Sequence, residues 1–568
     1  MLSALFNLKN IPSRLIVQSI LILSISVLSN YSFAETQFKY EAAKMLVEGF
    51  LIEGYADQSV LQSDIHKSAI DSIIKLDMLN NSIGYDIDSL RELTDQITNY
   101  YRAQGFFLAS SYIPQQTAND GYIIIKIVEG KLAAVLPQAN KVFKKELLQS
   151  RFSQYINKAV SKQEIETAVL LVNDIAGYKG SAIFSPGEKV GETLLILQTD
   201  EEAKSVSTIG LDNYGSKATG KHRLRGDFAF NNLTGTGDQL VLKTIYAYNY
   251  FYTSEDKEKN TKFHFFKFDD PADSINISVI YSRPIINNRI NLVSDYSFNK
   301  YQVGSGFDDL NINGNSHVLN SVFQLKKLRS ENKNINYHAG LSYKYSESFG
   351  SDEDIFANSF VLNFGANIFG NSSILNSKYY AQATISQGLL DNLTNSKESN
   401  FDEVFTKIKA SASVSFPIPK HPNQYILMKS NLQLSPNTLH STERMVLGGN
   451  QAVKGVPISE YAVDNGLIIN LEWIAASKQS NELGWLKNIQ LSGFIDNAYG
   501  SIDVKGVTNK TALTDTGNST FQSTIGVGIN LNPSKGFQVK STLSYRPTTI
   551  ETKNYSDFQF LTNLTYQF

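Results

Sequence analysis

From Val206 to Phe568 the chain reads as strand after strand of alternating character, and its last eleven residues show the pattern most clearly. Phe558, Phe560, Thr562, Leu564, Tyr566 and Phe568 share one face, and Asp557, Gln559, Asn563, Thr565 and Gln567 the other, with Leu561 breaking the second face. An earlier stretch repeats it, with Tyr337, Ala339, Leu341, Tyr343 and Tyr345 set against His338, Gly340, Ser342 and Lys344. Side chains of a strand alternate between faces, so such a segment needs an apolar and a polar environment at once. A bilayer outside and a polar lumen inside supply both. A soluble sandwich would press Lys, Asn, Gln and Ser into a dry core, which is costly. The 29 Tyr and 33 Phe suit aromatic girdles at two membrane interfaces.

Short turn signals recur at 231–238, 284–288, 329–334, 370–376, 417–423, 477–482 and 532–536, with long polar stretches such as 254–273, 304–316 and 497–519 between them. Seven short turns on one side, with both barrel ends on that side, predict about 16 antiparallel strands over 206–568. The carboxylate-rich 351–355 stretch reads as a solvated loop rather than a cation site.

The first 200 residues differ. Lys9 and Arg14, an apolar 15–28 run and Ser32-Phe33-Ala34 read as a signal peptide, 1–34, cleaved before Glu35. The apolar run is shorter than the roughly 20 residues a membrane helix needs. Beyond it, 45–130 predicts strand 45–52, helix 63–78, helix 87–102, strand 106–113, a turn at 118–121 and strand 122–128. The next segment, 131–200, repeats the order: strand 132–136, helices 144–156 and 161–173, then strands 180–184 and 193–198. Ser161 to Glu164 has the form of a capping box. Two α+β modules of β-α-α-β-β type therefore precede the barrel.

The net charge of −2 gives no basic field for nucleic acid. No cysteine is present, which excludes disulfides and thiolate sites, and the seven histidines lack helical metal-ligand spacing. No acid, base and nucleophile cluster, and no phosphate-binding G-x-x-x-x-G-K-[ST] occurs. Neither catalysis, a cofactor nor a metal is expected.

Several motifs resemble two-partner secretion transporters, the haemolysin secretion/activation family. In the first module these are Tyr100 to Phe106, including Tyr101 and Gly105, then Pro114-Gln115, and Ile127-Val128-Glu129-Gly130. In the second they are Leu170 to Gly177 and Ser185-Pro186-Gly187; at the barrel entrance, Asp212-Asn213-Tyr214-Gly215. Leu447-Gly448-Gly449, followed by Val453-Lys454-Gly455-Val456, resembles the family's sixth extracellular loop, and Phe494-Ile495-Asp496-Asn497-Ala498 its motif on the thirteenth barrel strand.

The resemblance implies two periplasmic POTRA modules, a 16-stranded outer-membrane barrel, and export of one large exoprotein partner. It implies substrate contacts at Tyr101, Gly105, Pro114, Gln115, Glu129 and Gly130, and a loop-six contact between Lys454 and Asp496. Lys454 stands where the family has arginine, Val456 where it has an aromatic and Ala498 where it has glycine. Lysine lacks the bidentate fork, so a single charge-assisted bond is expected. Residues 35–44 leave no length for the plug helix some members carry ahead of the first module, so loop six is expected to be the main lumen obstruction. Phe568 is expected to serve as the signal read by the barrel-insertion machinery. The alternative function is an insertase of the same superfamily, which usually carries more modules.

Overall fold

A computed structural model describes residues 44–54, 64–117, 121–249, 273–286, 289–304, 310–350, 354–373, 376–392, 401–458, 461–477, 489–503, 519–547 and 557–568. The segments on which the signal peptide and the lack of a plug helix are predicted, 1–34 and nearly all of 35–44, lie outside the described residues, as do most of the 118–121 turn and the acidic residues 351–353.

The first sheet has β1 (Gly49–Glu53) parallel to a central β3 (Tyr122–Val128), with β2 (Ser110–Tyr112) on the other edge. Helices α1 (Asp64–Asn80) and α2 (Ile87–Ala103) contribute buried Ile70, Ile74, Leu93 and Ile97, and β3 turns Ile123, Ile125 and Ile127 inward. The start of α2 is fixed reciprocally. The Ser89 N–H donates to Asp86 Oδ1 at 2.8 Å and the Asp86 N–H to Ser89 Oγ at 2.9 Å, satisfying amides that a helix start leaves free. The predicted strand 106–113 is only Ser110–Tyr112. Gly105, at φ +97°, ends the helix, and turn bonds Phe106 N–H to Tyr101 O and Ala109 N–H to Phe106 O curl the chain before it can extend.

The second sheet orders β4 (Lys131–Gln138), β6 (Glu192–Glu202) and β5 (Tyr178–Pro186), with β6 central. It packs on α3 (Lys145–Gln149), a 3₁₀ turn (Ser150–Tyr155) and α4 (Lys162–Asn173) through Leu132, Phe143, Phe152, Ile165, Val172 and Leu195. The Ser161/Glu164 capping box forms as read. The expected continuous helix 144–156 instead tightens to 3₁₀ after Gln149. Ser150 and Ser153 hydroxyls donate to the carbonyls three residues back, at 2.6 and 3.0 Å, and so compete with the α-helical pattern.

From β7 (Ser205–Asp212) onward, sixteen strands close an antiparallel barrel. Each of the seven predicted turn positions falls between consecutive strands, with 287–288, 374–375 and 478–488 outside the described residues, and β24 (Phe558–Gln567) pairs back onto β7, from Asn563 opposite Asp212 to Gln567 opposite Thr208. Outward positions are apolar and exposed, as with Phe323, Phe364, Leu389, Ile495 and Phe560. Inward positions form polar pairs across strands: Ser278 with Ser297 at 2.8 Å, Asn320 with Asp295 at 2.9 Å and Asn336 with Asn367 at 3.0 Å. No helix among the described residues is long and apolar enough to cross a membrane. The strands make the crossing.

Candidate functional site: loop six and the barrel seam

The connection from β17 (His421–Leu434) to β20 (Asn465–Ala476) turns into the lumen. It forms a short ribbon, β18 (Met445–Val446) with β19 (Ala462–Val463), and beyond it a tight tip. Tip turns are closed by Gly449 N–H to Val456 O at 2.7 Å and Val453 N–H to Leu447 O at 3.2 Å. Gly455 sits at φ +89°, and a Cβ there would lie 2.2 Å from Ser544 Oγ of β23 (Phe537–Tyr545), so only glycine lets the tip reach that wall. Leu447, Val453, Val456, Tyr461 and Val463 pack with Ile468 of β20 and Ala498 of β21 (Ile489–Ser501). Val456 and Ala498, the two apolar departures from the family pattern, therefore make contact with one buried cluster.

Lys454 projects from this tip onto Asp496 of β21, the thirteenth barrel strand. Asp496 is fully buried and Lys454 nearly so. The expectation of a single bond is corrected by the geometry. Lys454 Nζ donates to both Asp496 oxygens at 3.2 Å, the Lys454 N–H donates to Oδ2 at 3.1 Å, and Asn470 Nδ2 donates to Oδ1 at 2.8 Å. The ammonium straddles the carboxylate, and the backbone amide supplies directional constraint of the kind a guanidinium fork would give. Nζ also lies 4.0 Å from the Phe494 ring centroid and 4.0 Å from Glu472 Oε2.

A second anchor holds the loop on the opposite wall. The 3₁₀ turn Ser441–Glu443 buries Glu443, whose carboxylate meets Lys407 Nζ at 2.5 Å and Lys344 Nζ at 2.8 Å and accepts from Ser359 Oγ at 3.1 Å. These partners lie on β16 (Val404–Ile418), β13 (Lys333–Phe349) and β14 (Ile355–Ser372). At the loop exit, buried Asp464 pairs with Arg444 at 3.0 Å and accepts from the Asp503 and Leu439 amides. Loop six thus crosses the lumen, tied to both sides. Leu561, the residue that breaks the alternation of β24, lines a small cleft with Gly455, Val456 and Pro457 of the tip.

At the seam, Asp212 is buried between Arg223 and Arg225 of β8 (His222–Asn231) at 2.7 and 3.0 Å, and it caps the Tyr214 N–H at 2.9 Å. The Asn213 side chain continues the ladder, donating to Phe560 O and accepting from the Thr562 N–H, both at 2.8 Å. Gly215 lies against Gly220 O, where a Cβ would clash at 2.0 Å. Phe568 exchanges main-chain bonds with Ser207 at 2.9 and 3.2 Å while its ring stays exposed. The four entrance residues and Phe568 are thereby brought to one seam.

The six module residues are not brought together as a surface. Tyr101, Glu129 and Gly130 are buried, and Gly130 packs on Leu108, where a Cβ would lie 2.5 Å from that residue's Cβ. Gly105 accepts from the Lys162 N–H at 2.9 Å, and Phe107 meets Phe184 edge-on at 5.0 Å. Among the six, only Gln115 is exposed, and Pro114 is half-buried beside it. Next to them, Gln116 clamps the backbone of Ile124 with two 2.8 Å bonds.

A further ionic cluster, to which no periodic pattern points, joins Asp174 to Arg329 and Lys326 of β12 (Asn313–Arg329), each at 2.8 Å. The Thr167 hydroxyl donates to Arg329 O at 2.8 Å, and the Glu331 N–H to Glu166 at 2.6 Å. Burial pushes the Asp174 carboxyl up, but hydrogen bonds from Arg329 and the charge of Lys326 outweigh it and hold the group below the usual carboxylate range. Asp174 lies in the Leu170–Gly177 motif, which was the one signal for it in the sequence.

Comparison with known proteins gives concordant results. The profile of the haemolysin secretion/activation protein ShlB/FhaC/HecB matches residues 191–519, and that of the POTRA domain, ShlB-type, matches 78–130. The heme/hemopexin transporter protein HuxB of Haemophilus influenzae (strain 86-028NP) is 24% identical over 411 residues, 70% of this chain and 68% of HuxB. The outer membrane transporter CdiB of Escherichia coli O6:K15:H31 is 23% identical over 417 residues, 70% of this chain and 64% of CdiB. The solved structure of CdiB from Escherichia coli shares the fold, with a TM-score of 0.72 at 16% identity, over 97% of this chain and 98% of that one. BamA from Haemophilus ducreyi lacking POTRA domains 1–3 is more distant, with a TM-score of 0.51 at 14% identity over 93% of this chain and 100% of that one.

Proposed function

The chain belongs to the haemolysin secretion/activation protein family ShlB/FhaC/HecB, and from that premise we propose how its parts divide the work of export. It is an outer-membrane two-partner secretion transporter of a large exoprotein, with its POTRA modules in the periplasm. Members of the family are transporters and not enzymes, and we assign this chain no catalysis.

In this reading, loop six is the gate. The observation that carries it is the Lys454–Asp496 pair, a buried contact between the loop tip and the barrel wall, closed by three hydrogen bonds, with Asn470 of the wall holding the carboxylate by a fourth. Opening requires the tip to leave that wall. An extended cargo in the polar lumen keeps its backbone hydrated, and folding outside biases the direction of passage. Capture begins at the first module, where the edge strand β2 and the neighbouring Pro114 and Gln115 offer main-chain pairing that asks little of cargo sequence. Tyr101, Gly105, Glu129 and Gly130 act by holding the shape of that region. Phe568 and the seam residues serve assembly, with Phe568 presented to the barrel-insertion machinery.

Deleting the gene and restoring it in trans tests the reading, with the partner exoprotein followed in periplasm and medium. Periplasmic retention of the partner, with other outer-membrane barrels at normal levels, is the expected outcome. Loss of other barrels would favour the insertase alternative.

A further inference from the structure

The whole chain is slightly acidic, yet the inner wall of the barrel is not. Strand parity fixes which residues face inward: Leu242, Met428, Leu543, Ile385 and Ile408 are exposed on the lipid side, so their odd or even counterparts Lys243, Lys429, Lys540, Lys378 and Lys409 point to the lumen. None of these five lysines is in an ion pair among the described residues.

The inward carboxylates are engaged. Asp212 is held by two arginines, Asp496 by Lys454, and Asp295 by Asn320, while Glu472 lies 4.0 Å from Lys454 and Asp227 sits opposite Lys243 in register. Asp227 answers Lys243 and Asp295 holds only a neutral amide, yet the eight inward cations named (Arg223, Arg225, Lys454 and the five lysines) outnumber the five carboxylates, so the wall keeps a positive excess. Lys243, Lys429 and Lys378 are exposed and Lys540 half-buried. Lys243, Lys378 and Lys540 lie within five residues of the strand ends joined by the short turns, on the side where the chain enters from β6, which is the periplasmic mouth, and Lys429 continues the path at mid-wall opposite Asn470. A low-dielectric cylinder lined by one sign of charge focuses its field along the axis and concentrates counter-charges inside.

We propose that the lumen is a polybasic path matched to acidic segments of an extended polypeptide, and that with loop six displaced it conducts anions in preference to cations. The proposal rests on the lumen being the export path. It adds the chemistry of the cargo segment that threads first: an excess of Asp and Glu, drawn from the periplasm into the lysine-lined mouth.

Planar-bilayer recording tests it on the full chain lacking residues 447–458, which removes the loop tip, and on the Asp496→Asn chain as a second way to free the loop. Under a potassium chloride gradient at low salt, where the Debye length is long, the reversal potential should report chloride as the more permeant ion. The combined Lys243→Glu, Lys378→Glu, Lys429→Glu and Lys540→Glu change should invert that preference, and the matching four glutamine substitutions should abolish it. Polyglutamate added at the periplasmic side should block the current, and polylysine should not. Potassium preference in the native wall, or a reversal potential unmoved by the charge swap, overturns the proposal while leaving the path intact. Barrels that are folded by heat-modifiable gel mobility yet carry no current in either freed form would refute the lumen path and the proposal together.

Discussion

Asp496→Ala is the perturbation whose consequences the geometry defines best. The carboxylate accepts two bonds from Lys454 Nζ, one from the Lys454 amide and one from Asn470. Removing it leaves a nearly buried ammonium facing only Glu472 and the Phe494 ring, each at 4.0 Å. Breaking a buried pair from one side typically costs about 3–5 kcal/mol. Glu472 stays within 4.0 Å of the ammonium and can take up part of its charge, so the lower end of that range applies. A net weakening of about 3 kcal/mol corresponds to roughly a hundredfold shift from docked toward released loop. Single-channel open probability should rise by that order, and bulky antibiotics excluded by the intact outer membrane should enter cells carrying the variant. Lys454→Arg should move both readouts the other way, since a guanidinium can grip the same carboxylate bidentately. Unchanged open probability in a properly folded Asp496→Ala barrel would refute the claim that this pair holds the loop in the lumen.

The second anchor predicts a related effect. Glu443→Gln leaves Lys407 and Lys344 adjacent without their shared anion, so the loop-six ribbon should show faster hydrogen exchange at 441–446 even with Lys454 in place. The Asp174 cluster predicts a pH dependence. Because its folded pKa is depressed, its contribution is fully present above the ordinary aspartate pKa of about 3.9 and is lost as pH falls through the lower folded value. The Glu331 amide should therefore stay protected from exchange across neutral and mildly acidic pH. Asp174→Asn should lose about 2 kcal/mol of that protection, roughly thirtyfold in exchange rate, at every pH in that window. Deleting Phe568 should lower the amount of transporter in the outer membrane, measured by quantitative blotting, and leave secretion per molecule unchanged.

The barrel was legible because its physics is periodic. Alternation and turn spacing alone predict about 16 strands; the structure has sixteen and closes Phe558–Gln567 onto Ser205–Asp212. Leu561, which breaks the alternation of β24, lies against loop six, a contact that the strand pattern does not encode. Register was the main thing hidden. Asn470 faces Asp496, Ser359 faces Lys344, and the two ends of loop six meet opposite walls, none of which local pattern encodes. The modules were legible in order but not at every boundary. Local serine-to-carbonyl bonds shortened α3, and turn bonds after Gly105 shortened β2. Motif resemblance found Tyr101, Glu129 and Gly130 but carried no information on burial, and the structure places all three inside.

The central claim is that cargo crosses the lumen only when loop six leaves it, and a reversible tether tests this most directly. The Lys454 N–H lies 3.1 Å from Asp496 Oδ2, so cysteines at these two positions fall within reach of a short thiol cross-linker carrying a reducible disulfide, and the chain has no other cysteine to compete. In the Lys454→Cys, Asp496→Cys protein, secretion of the partner should stop when the link is formed and resume on adding reductant. Secretion that continues with the link demonstrably closed would contradict the account.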